Sequence, residues 1–126
     1  MIDHVSIPVL DLAKSAALYE RILAPLGLTR LVERAATVGF GKRYPEFWLN
    51  LRPAMAAVPE DHGSHVCLRA PDEAAVRQFF DLALKLGCRS AGDPGPRQAA
   101  MTTYFSAFVH DPDGNKIEAV TFPKGG

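Results

Sequence analysis

The sequence predicts an α+β protein made of two β-α-β-β-β modules, and three observations carry that prediction. First, the chain repeats itself: the interval from His4 to Asp11 recurs from His65 to Asp72, an ungapped offset of 61 residues (65 − 4 and 72 − 11). Second, at the same offset Leu18, Tyr19 and Glu20 correspond to Phe79, Phe80 and Asp81. Third, each half runs from a short apolar segment through an acidic cap to a helical pattern closed by glycine. Self-similarity of this kind fixes the architecture before any single element is assigned. It also puts a histidine at the start of the first strand of each half. Two equivalent imidazoles are what a metal site at the junction of two halves would need.

Ile2 to Val9 reads as a strand, with β-branched residues and Pro8 near its end. Asp11 is a good N-cap, because its carboxylate accepts an orphan amide bond of the first helical turn. Leu12, Ala16, Tyr19, Ile22, Leu23 and Leu26 follow at helical spacing, and Gly27 stops the run, so a helix is expected near residues 11–25. Thr29 to Phe40 suggests two strands and a turn, and Phe47 to Arg52 a clearer strand. Pro53 to Gly63 lacks periodicity and serves as the linker. The first module then spans about residues 1–55, the linker 53–63 and the second module about 62–124.

The second half follows the same plan. Ser64 to Ala70 is a strand. Asp72 caps a helix near residues 72–86 that carries Ala75, Val76, Phe79, Ala83 and Leu86 and ends at Gly87. Gly92, Pro94, Gly95 and Pro96 read as a loop. Tyr104 to Val109 and Asn115 to Phe122 are strands. The turn between them is His110-Asp111-Pro112-Asp113-Gly114, whose Asp and Gly tolerate the dihedrals of a tight reversal.

Composition narrows the function. At 126 residues the chain can bury a real core, and 48% hydrophobic content is ordinary for a globular domain. The 14 basic and 14 acidic residues give zero formal net charge, which argues against nucleic acid or an anionic membrane as main partner. No apolar run approaches a membrane span, and the N-terminus has no signal-like segment, so a cytoplasmic location is expected. Cys67 and Cys88 are too few for a disulfide framework. A near-zero net charge gives little colloidal repulsion between copies.

His4, His65 and Glu118 form the best chemical constellation. Alternation along strands puts the two histidines on equivalent faces if the halves are related by pseudo-symmetry. Glu118 is flanked by apolar Ile117 and Ala119, so it points either to solvent or into a cavity where something must neutralise it. Two imidazoles and a carboxylate match the set used by non-haem Fe(II) enzymes, and also suit Zn, Mn, Co or Ni. Three protein ligands leave positions open for water and substrate. The alternative is a pair of surface histidines and a solvated glutamate. In the first half the counterpart of Glu118 is Trp48, which cannot ligate a metal.

The segments Ile2-Asp3-His4-Val5, Gly63-Ser64-His65-Val66 and Tyr104 through Glu118, above all Asp111-Pro112-Asp113-Gly114-Asn115 followed by Glu118, resemble the vicinal-oxygen-chelate superfamily. That superfamily includes glyoxalase I, extradiol dioxygenases, fosfomycin-resistance transferases and bleomycin-binding proteins. The resemblance covers nearly the whole chain. It implies a single glyoxalase-like domain over residues 1–126, with paired βαβββ modules whose mixed sheets curl around a central cup. It also implies His4, His65 and Glu118 as ligands of one divalent ion, with Trp48 replacing a fourth. The substrate it implies is a small molecule with vicinal oxygens, processed by a lyase, an isomerase or a ring-cleaving dioxygenase. Glu118 would be a ligand that can also act as a base. Homodimers are expected, with modules paired within one chain or exchanged between two.

The cup walls then follow from alternation. Trp48, Asn50 and Arg52 share a face, and Arg52 either clamps an anionic substrate group or is a solvated rim residue. If Glu118 pairs near Phe108, Tyr104, Ser106 and Phe108 face the same way, which makes Tyr104 a candidate acid or hydrogen-bond donor. A one-residue slip would reverse this. Ser6 and Cys67 also face the cup, and Cys67 reads as packed rather than reactive. His62 and His110 read as solvent-exposed. Two functions from different classes remain: a metal-dependent enzyme, favoured by the three ligands, and a metal-free module that binds or sequesters a small molecule. The scaffold hosts both.

Overall fold

The structure is a computed structural model and describes residues 1–123; the ends of the expected second module and of the expected domain, residues 124–126, lie outside the described residues. The chain folds as two βαβββ modules. The first comprises β1 (Val5–Val9), α1 (Leu12–Leu23), a 3-10 turn (Ala24–Leu26), β2 (Thr29–Glu33), β3 (Thr37–Gly41) and β4 (Phe47–Leu51). The second comprises β5 (Val66–Arg69), α2 (Glu73–Lys85), β6 (Arg89–Gln98), β7 (Thr103–His110) and β8 (Lys116–Thr121). Each module has its own four-stranded mixed sheet, ordered β1-β4-β3-β2 and β5-β8-β7-β6. The sheets do not close on one another.

The helices form where caps and apolar spacing predict them. The Asp11 carboxylate accepts from the Lys14 amide and that of Asp72 from the Ala75 amide. Ala16, Tyr19, Ile22 and Leu23 of α1 and Val76, Phe79 and Ala83 of α2 are buried. They cover the sheet face that carries Ile7, Val9, Phe47 and Leu49 in one module and Ala107, Val109, Ile117 and Ala119 in the other. The helices α1 and α2 also pack on each other, so the modules meet through their helical layers. That contact sets which sheet faces stay open.

Register confirms the pseudo-symmetry. Trp48 lies opposite Ser6 across the parallel β1–β4 ladder, and Glu118 lies opposite Cys67 across β5–β8. Ser6 and Cys67 are related by the same 61-residue offset (67 − 6). Trp48 is therefore the structural counterpart of Glu118. Both first strands are shorter than the sequence suggests, because the ladders begin only at Val5 and Val66; His4 and His65 each stand one residue before them.

Two expectations are corrected. The stretch with Gly92, Pro94, Gly95 and Pro96 is not a loop but lies within the ten-residue strand β6. β6 is an edge strand whose pairing with β7 shifts register between Ser90 and Gly92 and between Gly92 and Gly95. Edge position and bulges remove the ladder bonds that proline cannot make. His110 is not solvent-exposed but 6% exposed. It ends β7 opposite Arg89 and Lys116, its Nδ1 has no hydrogen-bond partner, and its Nε2 stands 4.0 Å from Glu60 of the linker.

The turn after His110 joins the modules. Asp111 is buried and accepts from the Tyr19 hydroxyl at 2.6 Å, from the Asp113 and Asn115 amides, and from Asn115 Nδ2. Asn115 Nδ2 also donates to the Pro8 carbonyl, and the Leu10 amide donates to Asp113. The Val58 amide donates to the Asp113 carbonyl, which ties the linker down. Burial, followed by the Asp111 charge, holds the Tyr19 phenol well above its usual range, so it remains a proton donor.

Candidate functional site

The site is built on the sheet faces turned away from the helices. His65 Nε2 lies 2.9 Å from Glu118 Oε1. Glu118 is 5% exposed, and no Lys or Arg among the described residues lies within ion-pair distance of it. A buried carboxylate must be neutralised, either by a proton, by a protonated imidazole or by a bound cation. Cys67, across the ladder from Glu118, has its thiol pushed up to about 12 by burial and then by the Glu118 charge and hydrogen bond. It is exposed rather than packed as expected, because the open sheet face leaves it uncovered, but it is protonated at neutral pH and so is not a nucleophile.

The residues fit a metal in part. Two donors at about 2.1 Å from one ion and at right angles stand about 3.0 Å apart. The 2.9 Å between His65 and Glu118 matches that edge, and it also serves as a hydrogen bond. The third expected ligand is not brought to them. The His4 ring is bonded to Asp3 at 2.7 Å and half exposed, and among the described residues no three His, Cys, Asp or Glu side chains of one chain could hold an ion together. The chain thus brings two of the three expected ligands, His65 and Glu118, together on one module and leaves the equivalent histidine, His4, apart from them.

The remaining cup candidates are distributed unevenly. Phe108 lies directly across the β7–β8 ladder from Glu118, as expected, and its ring centroid is 5.5 Å from that of His65. Trp48 is half-buried over Gly39, where an added Cβ would come within 3.0 Å of the indole, and Arg34 lies over it at 5.7 Å. Asn50 is half-buried beside Pro8 and Thr37. Arg52 lies just past β4, exposed, with Nη1 donating to the Leu51 carbonyl. Tyr104 is four residues along β7 from Phe108, about 13 Å at the usual strand rise. It stacks near Phe122 and lines a separate pocket of about 300 Å³ with Asp72, Glu73 and Phe105. Ser6 and His65 line a common cleft of about 280 Å³, with His62, Asn115 and Lys116.

One residue of this face was missed in the sequence. Arg97 of β6 donates through Nε to Ser106 Oγ at 2.8 Å and lies over the Phe108 ring at 5.2 Å. Its strand was read as a glycine-proline loop, so no face could be assigned to it. Strand alternation through the bulges would have been the only signal.

The fold and the His65–Glu118 pair define a βαβββ protein of the vicinal-oxygen-chelate type. The model of the Glyoxalase/Bleomycin resistance protein/Dioxygenase superfamily matches residues 1–119, and the chain belongs to that superfamily. It is similar to a glyoxalase/bleomycin resistance protein from Albidiferax ferrireducens, at 26% identity and TM-score 0.81 over 94% of this chain and 96% of that one. It also resembles fosfomycin resistance protein FosX from Mesorhizobium loti (17% identity, TM-score 0.69, 98% and 93% coverage). A glyoxalase I mutant from Zea mays shares the fold at 20% identity and TM-score 0.71, over 93% of this chain and 44% of that one. No curated protein matches the sequence at a significant level.

Proposed function

We propose that the protein is a divalent-metal-dependent enzyme acting on a small substrate with vicinal oxygens, as a lyase, an isomerase or a ring-cleaving dioxygenase. One observation carries the reading: Glu118 is a carboxylate at 5% exposure whose nearest basic partner is the ligating-type nitrogen of His65 at 2.9 Å. A divalent ion answers that charge where no lysine or arginine does. His65 and Glu118 would hold the ion together with His4. Because His4 is not brought to His65 and Glu118 within one chain among the described residues, in our reading it would come from a second copy of the chain in an exchanged homodimer.

The ion, of the Fe, Zn, Ni, Mn or Co type, supplies a Lewis acid that polarises a chelated substrate oxygen. Phe108 and Trp48 exclude water, which strengthens every charge interaction in the cup. Glu118 would hold its place as a ligand or detach to take a proton from the substrate. Metal analysis of protein purified without added metal tests the reading, with His65→Ala and Glu118→Gln alongside. About one ion per chain in the wild type and background levels in both variants are expected. Equal metal in all three proteins would exclude this site.

A second reading is favoured by Trp48, which offers an indole where the other module offers Glu118. An apolar wall in half the cup suits a sequestering protein; one similar structure is a bleomycin-binding protein complexed with bleomycin (22% identity, TM-score 0.62, 94% and 95% coverage). Tight binding of an apolar ligand, equally strong after chelator treatment and without turnover, would support it over the enzyme.

A further inference from the structure

We propose that Arg97 is the anion anchor of this site, so that the substrate carries an oxyanion group, a carboxylate or a phosphonate, beside the oxygens presented to His65 and Glu118. The inference rests on the metal-enzyme reading and names the substrate class that reading leaves open.

Arg97 is held rigidly. Nε donates to Ser106 Oγ at 2.8 Å, and Nη2 donates to the carbonyls of Asp93 at 2.7 Å and Ser106 at 3.2 Å. Nη1 has no partner among the described residues, and its two hydrogens remain available. All three acceptors are neutral. Neither Arg97 nor Lys116 has a carboxylate within 4.0 Å among the described residues.

Both cations converge on one ring. The Arg97 guanidinium carbon lies 5.2 Å, and Lys116 Nζ 5.0 Å, from the Phe108 centroid. Arg97 pairs with Tyr104 and Lys116 with His110, so they reach Phe108 from opposite ends of β7. Phe108 in turn touches His65 and lies across from Glu118. The chain also makes room for the guanidinium. A Cβ on Gly92 would come 3.2 Å from Arg97 Nη2 and 3.0 Å from Phe108 Cδ1.

A purely structural tie between β6 and β7 explains Nε and Nη2, but it needs no charge. A guanidinium fixed in place, half-buried and without a counter-ion is pre-organised for an anion, since the ordering cost is met before binding. Arg52, the clamp expected from the sequence, is exposed and donates to the Leu51 carbonyl, whereas Arg97 is half-buried and fixed by three hydrogen bonds.

The test uses calorimetric titration of the full chain with oxalate and with methylphosphonate, in metal-loaded and in chelator-treated protein, with metal content measured in parallel. Arg97→Gln should keep the wild-type metal content and lose tenfold or more affinity for the tighter of the two probes, in both metal states. The preferred probe identifies carboxylate or phosphonate. Gly92→Ala retains the charge but displaces it, and should lose affinity in the same direction. Wild-type affinity in metal-replete Arg97→Gln and Gly92→Ala would overturn the anchor, as would a wild-type protein that binds neither probe. The metal-enzyme reading fails separately, through unchanged metal content in His65→Ala. Should Arg97→Gln not fold, Arg97→Lys, which keeps a charge but not the fixed fork, carries the same prediction with a smaller loss.

Discussion

At the residue scale, two buried carboxylates have been given different tasks by their neighbours. Asp111 accepts hydrogen bonds from Tyr19, Asn115 and two backbone amides, whereas Glu118 has one imidazole and a weak thiol donor. The first is a joint; the second is the carboxylate that the proposed metal site would use. Burial raises the Asp111 carboxyl above its ordinary value of 3.8, although Tyr19 and Asn115 pull it back. A carboxyl raised on folding contributes stability that is full below its unfolded pKa and lost as pH rises through the folded one. Replacing Asp111 by Asn should therefore flatten the fall in thermal midpoint as pH rises from about 3 upward. A separate arm addresses the hydrogen bond. Tyr19→Phe should cost about 1.5–3 kcal/mol at neutral pH, as befits a bond to a charged acceptor. Denaturant titration would measure it, and a loss below a few tenths would mean the bond contributes little.

At the element scale, the most specific sequence motif turns out to position the site indirectly. The Asp111-to-Asn115 turn orients β8, which carries Glu118, and clamps the linker and β1. Gly114 sits at φ 97°, where a Cβ would fall 2.4 Å from the Val58 carbonyl oxygen. Gly114→Ala is expected to destabilise the fold by about 2 kcal/mol or more through strain and displacement of the linker. An unchanged unfolding midpoint would contradict the close approach.

The elements were legible in the sequence where local chemistry decides them: Asp11 and Asp72 cap helices, and the offset between halves makes β1 the counterpart of β5. The β7–β8 register, Phe108 to Glu118, was assumed at the sequence level, where a one-residue slip stayed open, and the ladder has the assumed pairing. β6 was not legible, because its glycines and prolines are loop signals everywhere except on a bulged edge. His110 was misplaced for a related reason: a polar turn sequence reads as exposed, and its burial depends on a distant linker. Whether His4 meets His65 depends on how two helical layers stack, which no local pattern records.

At the scale of the whole molecule, Ser6 of β1 and His65, just before β5, line one cleft, yet the His4 ring is hydrogen-bonded to Asp3 and no three candidate ligands of one chain come together among the described residues. In the proposed exchanged homodimer, His4 of a second copy would complete the site, and light scattering at micromolar concentration should report twice the 13.7 kDa chain mass. A monomer that still binds stoichiometric metal would remove the need for a second copy. The direct test of the shared site is to mix His4→Ala with His65→Ala, unfold both and refold them together. In an exchanged heterodimer one cup loses both histidines, and the other keeps His4 from one chain and His65 with Glu118 from the other. Random reassortment makes half of the dimers hybrid, so metal content should recover to about a quarter of the wild-type value, while each variant refolded alone stays at background. No recovery in a mixture shown to contain heterodimers would contradict a metal site built from His4 of one protomer and His65 with Glu118 of its partner.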